Sequence, residues 1–120
     1  MLWQFVFFLA VHWVADFVLQ THWQASNKSK RLDALARHVS TYTVCLFFTA
    51  LFIFPTTEFD FLWFTLVNGA LHFCTDYVTS RWSSRMWAAQ RWHDFFVVIG
   101  FDQLIHQVTL AVTLWVFLSN

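Results

Sequence analysis

Apolar residues fill four long stretches of this chain, roughly 2–21, 35–54, 59–79 and 95–118, and polar residues interrupt each at regular intervals. Each stretch is close to the ~20 residues that an α-helix needs to cross a bilayer. The interruptions fall four residues apart, which places them on one drifting stripe of a helix. HWVADFVLQ carries His12, Asp16 and Gln20. His38 and Tyr42 stand in the second stretch, LHFCTDY in the third carries His72 and Asp76, and FDQLIHQ in the fourth carries Asp102 and His106. The pattern predicts an all-α fold: a four-helix transmembrane bundle, up-down-up-down, occupying residues 1–120 as one integral membrane domain. Pro55 is read as closing the second span, and PTTEFD as the turn that reverses the chain. Asp33 and Asp94 are expected as the N-caps of the second and fourth helices.

Composition agrees with lipid as the solvent. The chain of 120 residues is 58% hydrophobic and 22% aromatic but only 12% charged, about half the charge of an ordinary soluble domain. Sixteen Phe and eight Trp are too many to bury in a water-soluble core of this size. Met-Leu-Trp-Gln lacks the basic start of a secretory signal, so the first apolar stretch is expected to be retained. Cys45 and Cys74 read as small core residues, not a disulfide. Net charge is zero, which gives no footing for nucleic acid.

The distribution of charge sets an orientation. Lys28, Lys30, Arg31 and Arg37 lie in or beside the first connection, and Arg81, Arg85 and Arg91 in the third. The second connection holds only Glu58 and Asp60. The positive-inside rule therefore puts connections one and three in the cytoplasm and both termini on the outer face. RWSSRMWAAQRWH, which mixes Trp with Arg, reads as a segment in the headgroup region. His22 and His93 fall at the interface and read as solvated.

Asp16, Asp76 and Asp102 are then the acids inside spans. A charged Asp near the bilayer centre costs about 2.5–3.5 kcal/mol, and no Lys or Arg lies within the spans to pair with them. In an antiparallel bundle all four motifs fall toward the cytoplasmic side. The reversed order in the fourth span brings Asp102 to the level of Asp16 and Asp76, with His12, His72 and His106 one turn deeper, His38 level with the carboxylates and Tyr42 beside the histidines. Neutral imidazole and carboxylate are ligands of divalent ions, and two-ion carboxylate sites occur inside four-helix bundles. His12, Asp16, His72, Asp76, Asp102 and His106 are thus the candidate ligands of one or two divalent ions, Zn or Mn. His38 is a ligand or general base, and Tyr42 a hydrogen-bond partner or acid. Gln20, Asn68 and Gln103 are expected to orient the ligands. A buried His–Asp hydrogen-bond network and a proton or ion path are the alternatives. Gly69 and Gly100 read as points of close helix approach.

Taken together, HWVADFVLQ followed by Lys28, the His38–Tyr42 pair, LHFCTDY and FDQLIHQ resemble a family of small bacterial and phage integral membrane proteins known only as a domain of unknown function. The resemblance spans nearly the whole chain. It places the family's polar signature on His12, Asp16, Gln20, His38, His72, Asp76, Asp102, Gln103 and His106, and the chain differs at Thr79, where relatives commonly carry Lys. It implies architecture and a setting in the bacterial cytoplasmic membrane, or in a host membrane if the chain is encoded by a phage, and no reaction.

These readings favour a membrane-embedded metal-dependent hydrolase acting from the cytoplasmic side on an amphiphile with an anionic, phosphate-bearing head. Its partners are then the lipid bilayer and a lipid-like substrate. Lys28 and Arg31 could attract that head, but read first as ordinary positive-inside residues. The alternative is a non-enzymatic phage or bacterial membrane protein that alters the host membrane or binds a host membrane protein, with a structural His/Asp network. A haem-binding bundle is a third reading, which the attached Asp residues disfavour.

Overall fold

The computed structural model describes residues 1–54 and 59–119, and these are all-helical. In chain order the five α-helices are α1 (Leu2–Trp13), α2 (His22–Asn27), α3 (Leu32–Ile53), α4 (Asp60–Ala88) and α5 (Trp92–Ser119), with a π-helical stretch at Val14–Val18 continuing α1. Two of them, α3 and α5, are long and apolar enough to cross a membrane. The apolar run Leu2–Val18 is shorter.

Helix contacts give the relative directions. Asn68, Asp76 and Thr79 of α4 bond to Thr113, His106 and Asp102 of α5, so positions rise on one helix as they fall on the other. Phe64 meets Phe54, and His72 meets His38, in the same inverse order between α4 and α3. Phe8 lies against Phe64, and His12 against His72, so α1 runs alongside α4.

The interior has two parts. An apolar layer gathers Phe8, Leu46, Ala50, Phe54, Phe64, Leu110 and Leu114, with the Phe64 ring centred 5.0 Å from both Phe8 and Phe54. Beyond it the buried positions turn polar. On α4 they run Asn68, His72, Asp76, Thr79 and Ser83, every three or four residues, so a single face of the helix supplies them. On α5 they are Val98, Asp102, His106, Leu110 and Leu114, four apart throughout. The outer face is the reverse: Trp3, Phe52, Trp63, Val78, Phe96 and Trp115 are exposed.

Several expectations are corrected. Asp33 and Asp94 are not N-caps: α3 starts at Leu32 behind Arg31, α5 starts at Trp92, and both acids lie in the first helical turn. There they face the positive end of the helix dipole and pair with Arg31 and Arg91 at 3.0 and 2.7 Å. RWSSRMWAAQRWH is helical over most of its length, because α4 continues to Ala88 and ends in a left-handed turn at Gln90, with the Arg91 N–H on the Met86 carbonyl. The first connection contains α2, whose Thr21 N-cap and Gln24 form a reciprocal capping box at 3.2 and 3.1 Å. Both cysteines are free thiols; Cys74 is exposed and so is not a core residue, whereas Cys45 is half-buried and packs against the apolar core. Pro55 and Glu58, with the start of the PTTEFD turn, lie outside the described residues.

Candidate metal centre

Asp16 enters the interior from the π-helical stretch, where the Leu19 N–H reaches back to the Val14 carbonyl at 2.9 Å. The wider π turn rotates the residues after it away from their α-helical directions. Gln20 lies beyond the helix end and still lines the cavity shared by Asp16, Asp102 and Gln103. His38 comes from the second turn of α3, His72 and Asp76 from one face of α4, and Asp102 and His106 from α5.

Four ring and carboxylate atoms converge. His38 Nε2 is 2.9 Å from Asp16 Oδ1 and 3.1 Å from Asp76 Oδ2. His72 Nε2 is 3.1 Å from Asp16 Oδ1 and 3.7 Å from Asp76 Oδ2. The two Nε2 atoms are 3.4 Å apart. Donors at about 2.0–2.2 Å around a tetrahedral ion stand about 3.3–3.6 Å from one another. Five edges of this set therefore lie close to those of a tetrahedral N2O2 site. A second group, Asp16, Asp102 and His106, shares Asp16 with the first. All the members are buried.

The surroundings hold this arrangement. The His72 ring is sandwiched between Tyr42 and His106, stacked at 4.1 Å on each side. His106 Nε2 lies 2.9 Å from Asp76 Oδ1 and 3.4 Å from Asp102 Oδ1. The Gln103 amide donates to Asp16 Oδ2 at 3.2 Å and to Asp102 Oδ2 at 3.0 Å, spanning two like charges. The Thr79 hydroxyl donates to Asp102 Oδ1. Asp16 Oδ1, a member of the four-atom set, is buried without a well-directed hydrogen bond, as are both ring nitrogens of His12 and Nδ1 of His38 and of His72; an ion on the four-atom set would satisfy Asp16 Oδ1, whereas the Nδ1 atoms face away from it.

Sequence expectations meet this geometry unevenly. His12 is near the centre but outside both ligand groups, its Nε2 3.6 Å from Asp16 Oδ2. His38, assigned a ligand or catalytic role, belongs to the four-atom set. Tyr42 stacks its ring face on His72 and meets His12 edge-on at 5.5 Å, so it packs against the ligands. The rings of His12, His72 and His106 gather with Tyr42, their centroids 4.1–5.6 Å apart, while His38 sits among the carboxylates of Asp16 and Asp76; His72 and His106 also turn Nε2 onto carboxylate oxygens. Asn68 is not an orienting residue: its amide donates to the Phe64 carbonyl at 2.9 Å and its oxygen accepts from Thr113 at 3.1 Å, away from the carboxylates.

The residue that sequence reasoning misjudged is Lys28. It caps the C-terminal end of α2, and its Nζ reaches Asp76 Oδ2 at 3.0 Å. The expectation of a span interior without a basic partner therefore fails: the cation arrives from the connection. The signal was available in Lys28 as part of the motif run after HWVADFVLQ.

A cavity of about 480 Å³ adjoins the carboxylates, lined by Asp16, Gln20, Lys28, Lys30, Ser80, Ser84, Asp102 and Gln103, with Trp87 and Phe95 at its edge. His22 and His93 are exposed.

A family model described as "Protein of unknown function (DUF3307)" matches residues 4–120. The chain belongs to the DUF3307 family. No curated protein and no solved structure matched it. Family membership covers all the residues of the buried cluster and assigns none of them a reaction.

Proposed function

We propose that this chain is a four-span integral membrane protein that binds a divalent ion, Zn or Mn, and uses it to hydrolyse an amphiphile with an anionic, phosphate-bearing head. The observation that carries the reading is the convergence of Asp16, His38, His72 and Asp76 at tetrahedral-edge distances beside a polar cavity. A divalent ion supplies Lewis acidity and a water of lowered pKa. The chain's own part is to hold the ligands, with Tyr42 and His106 fixing the His72 ring, and to admit an anionic group past Lys30, Ser80 and Ser84.

The membrane reading is supported by the inverted distribution of residues. Asp76 is 1% exposed whereas Phe52 is 86% exposed, the reverse of a protein folded in water. The inverse pairing of α3 with α4 and of α4 with α5, and the alignment of α1 with α4, suit an up-down-up-down bundle. The basic residues then gather at the end of the bundle where the cavity lies, which by the positive-inside rule faces the cytoplasm, with both termini outside. At about 1.5 Å per residue, α4 would extend about 44 Å. It is longer than the ~30 Å hydrocarbon layer, so its Arg81–Ala88 end reaches the cytoplasmic headgroups.

The second reading, a non-enzymatic membrane protein with a structural network, draws on Lys28–Asp76, Thr79–Asp102 and Gln103–Asp16, which give the carboxylates partners without an ion. The two separate in one assay. Purified protein in micelles containing a lipid phosphate should release inorganic phosphate, lose that activity on chelation and regain it with Zn or Mn. Absence of turnover in metal-loaded protein across lipid phosphates would favour the structural network.

A further inference from the structure

The cavity beside the carboxylates has a polar wall that the chain leaves incomplete. Along α4, Asp76, Ser80, Ser84 and Trp87 follow one another by four, four and three residues, so one face of the helix leads from the buried cluster to the cavity mouth. Phe17, Phe95 and Ile99 give the same cavity an apolar wall.

Two polar atoms of this lining have no partner: Ser80 Oγ and Gln20 Oε1 are buried without a hydrogen bond. A serine or threonine inside a helix often returns its hydroxyl to the carbonyl four residues back. Ser40, Thr43, Thr65, Thr75 and Thr79 do so. Ser80 shares α4 with the last three and does not. Its hydroxyl is uncommitted at the cavity, and a buried polar atom without a partner is costly.

The two groups also say what would complete them. A side-chain amide presents a donor and an acceptor, and its oxygen needs an N–H or O–H whichever way the amide is flipped. An ionised phosphate only accepts, so it would leave that oxygen unsatisfied. A hydroxyl both donates and accepts, and so suits Gln20 and Ser80 alike. The anionic part of a ligand has its own partner. The ion pairs of Lys and Arg among the described residues are Lys28–Asp76, Arg31–Asp33 and Arg91–Asp94, which leaves Lys30, exposed and on the same lining, without one.

Resting on the amphiphile reading above, we infer that the cavity takes a lipid head that carries hydroxyl groups beside its phosphate, a polyol or sugar phosphate. Gln20 and Ser80 hold the hydroxyls, Lys30 attracts the phosphate, and the wall of Phe17, Phe95 and Ile99 receives the start of the tail. Gln20 and Ser80 are specificity residues and take no part in bond breaking.

Two lipids of equal charge separate this from plain anion binding: phosphatidylglycerol, whose head has two hydroxyls, and phosphatidylmethanol, whose head has none. Native mass spectrometry of the protein as purified, in polyoxyethylene-ether micelles that bring no sugar, reads the bound lipid. Wild-type protein should prefer phosphatidylglycerol by about tenfold, the order expected when hydroxyl partners are lost from a buried donor and acceptor. Gln20→Leu and Ser80→Ala, which break no hydrogen bond of these side chains within the chain, should each remove most of that preference. Lys30→Gln should weaken both lipids and keep their ratio. Equal binding of the two lipids by wild-type protein would mean that water satisfies Gln20 and Ser80, and would overturn the inference while leaving the amphiphile reading intact. Displacement of phosphatidylglycerol by an equimolar amount of its deacylated head, glycerophosphoglycerol, would make the ligand a soluble phosphate and overturn the lipid source. Binding of neither lipid would overturn both.

Discussion

Gly69 and Gly100 carry the same sequence cue and differ in what surrounds them. A Cβ at Gly69 would stand 2.8 Å from Thr43 Oγ1 and 3.4 Å from its Cγ2, while one at Gly100 would meet nothing within 4 Å. Thr43 is not free to retreat, because its hydroxyl donates to the Val39 carbonyl at 2.8 Å and its branched Cβ limits its rotamers. Alanine in a helix interior gains about 0.5–1 kcal/mol over glycine, whereas overpacking costs about 1–3 kcal/mol. Gly100→Ala should therefore raise stability by about 0.5–1 kcal/mol, and Gly69→Ala should lower it. Adding Thr43→Ala to Gly69→Ala should recover much of the loss, as a double-mutant cycle would record. Unfolding in detergent checks this, and equal stability of the two single variants would show that α3 and α4 are not in close contact at Thr43. The expectation of close approach thus holds at Gly69 and not at Gly100, a distinction that spacing alone does not carry.

At the scale of elements, the helices and the buried motif residues were legible because hydropathy and four-residue spacing report directly on a helix face. His38, His72, Asp76, Asp102 and His106 all fall where that spacing puts them. What was not legible depends on finer backbone choices. Whether an acid at a helix start sits at the N-cap or one turn in is a matter of one or two residues, and Asp33 and Asp94 have arginine neighbours that reward the inner position. The Arg81–Ala88 stretch mixes good helix formers with Trp, and its composition does not reveal that the backbone there simply continues α4. The π turn at Val14–Val18 leaves no periodic trace, although it carries Asp16. In contrast, α2 announces itself: Thr21 followed by Gln24 is the capping-box spacing. Reading it would have placed Lys28 at a helix end, turned back toward the bundle.

At the scale of the whole molecule, a lipid-facing exterior and a charged interior go together with one orientation. On the proposed orientation, with both termini outside and the basic end in the cytoplasm, cysteines introduced at Ser29 and Ser119 should react oppositely with a membrane-impermeant reagent in intact cells, Ser119→Cys being labelled and Ser29→Cys protected, in a background lacking Cys45 and Cys74. Labelling of both to the same extent would end the four-span arrangement. The central claim is that the buried imidazoles and carboxylates hold an ion, and bound metal tests it most directly. Protein stripped by chelator, reloaded with Zn or Mn and freed of excess should retain the ion stoichiometrically. Asp16→Asn, which alters the carboxylate shared by both ligand groups, should retain at least about tenfold less, a loss of the order that even supporting residues produce at metal sites. Wild-type protein that holds no metal, or Asp16→Asn that holds as much as wild type, would contradict the claim.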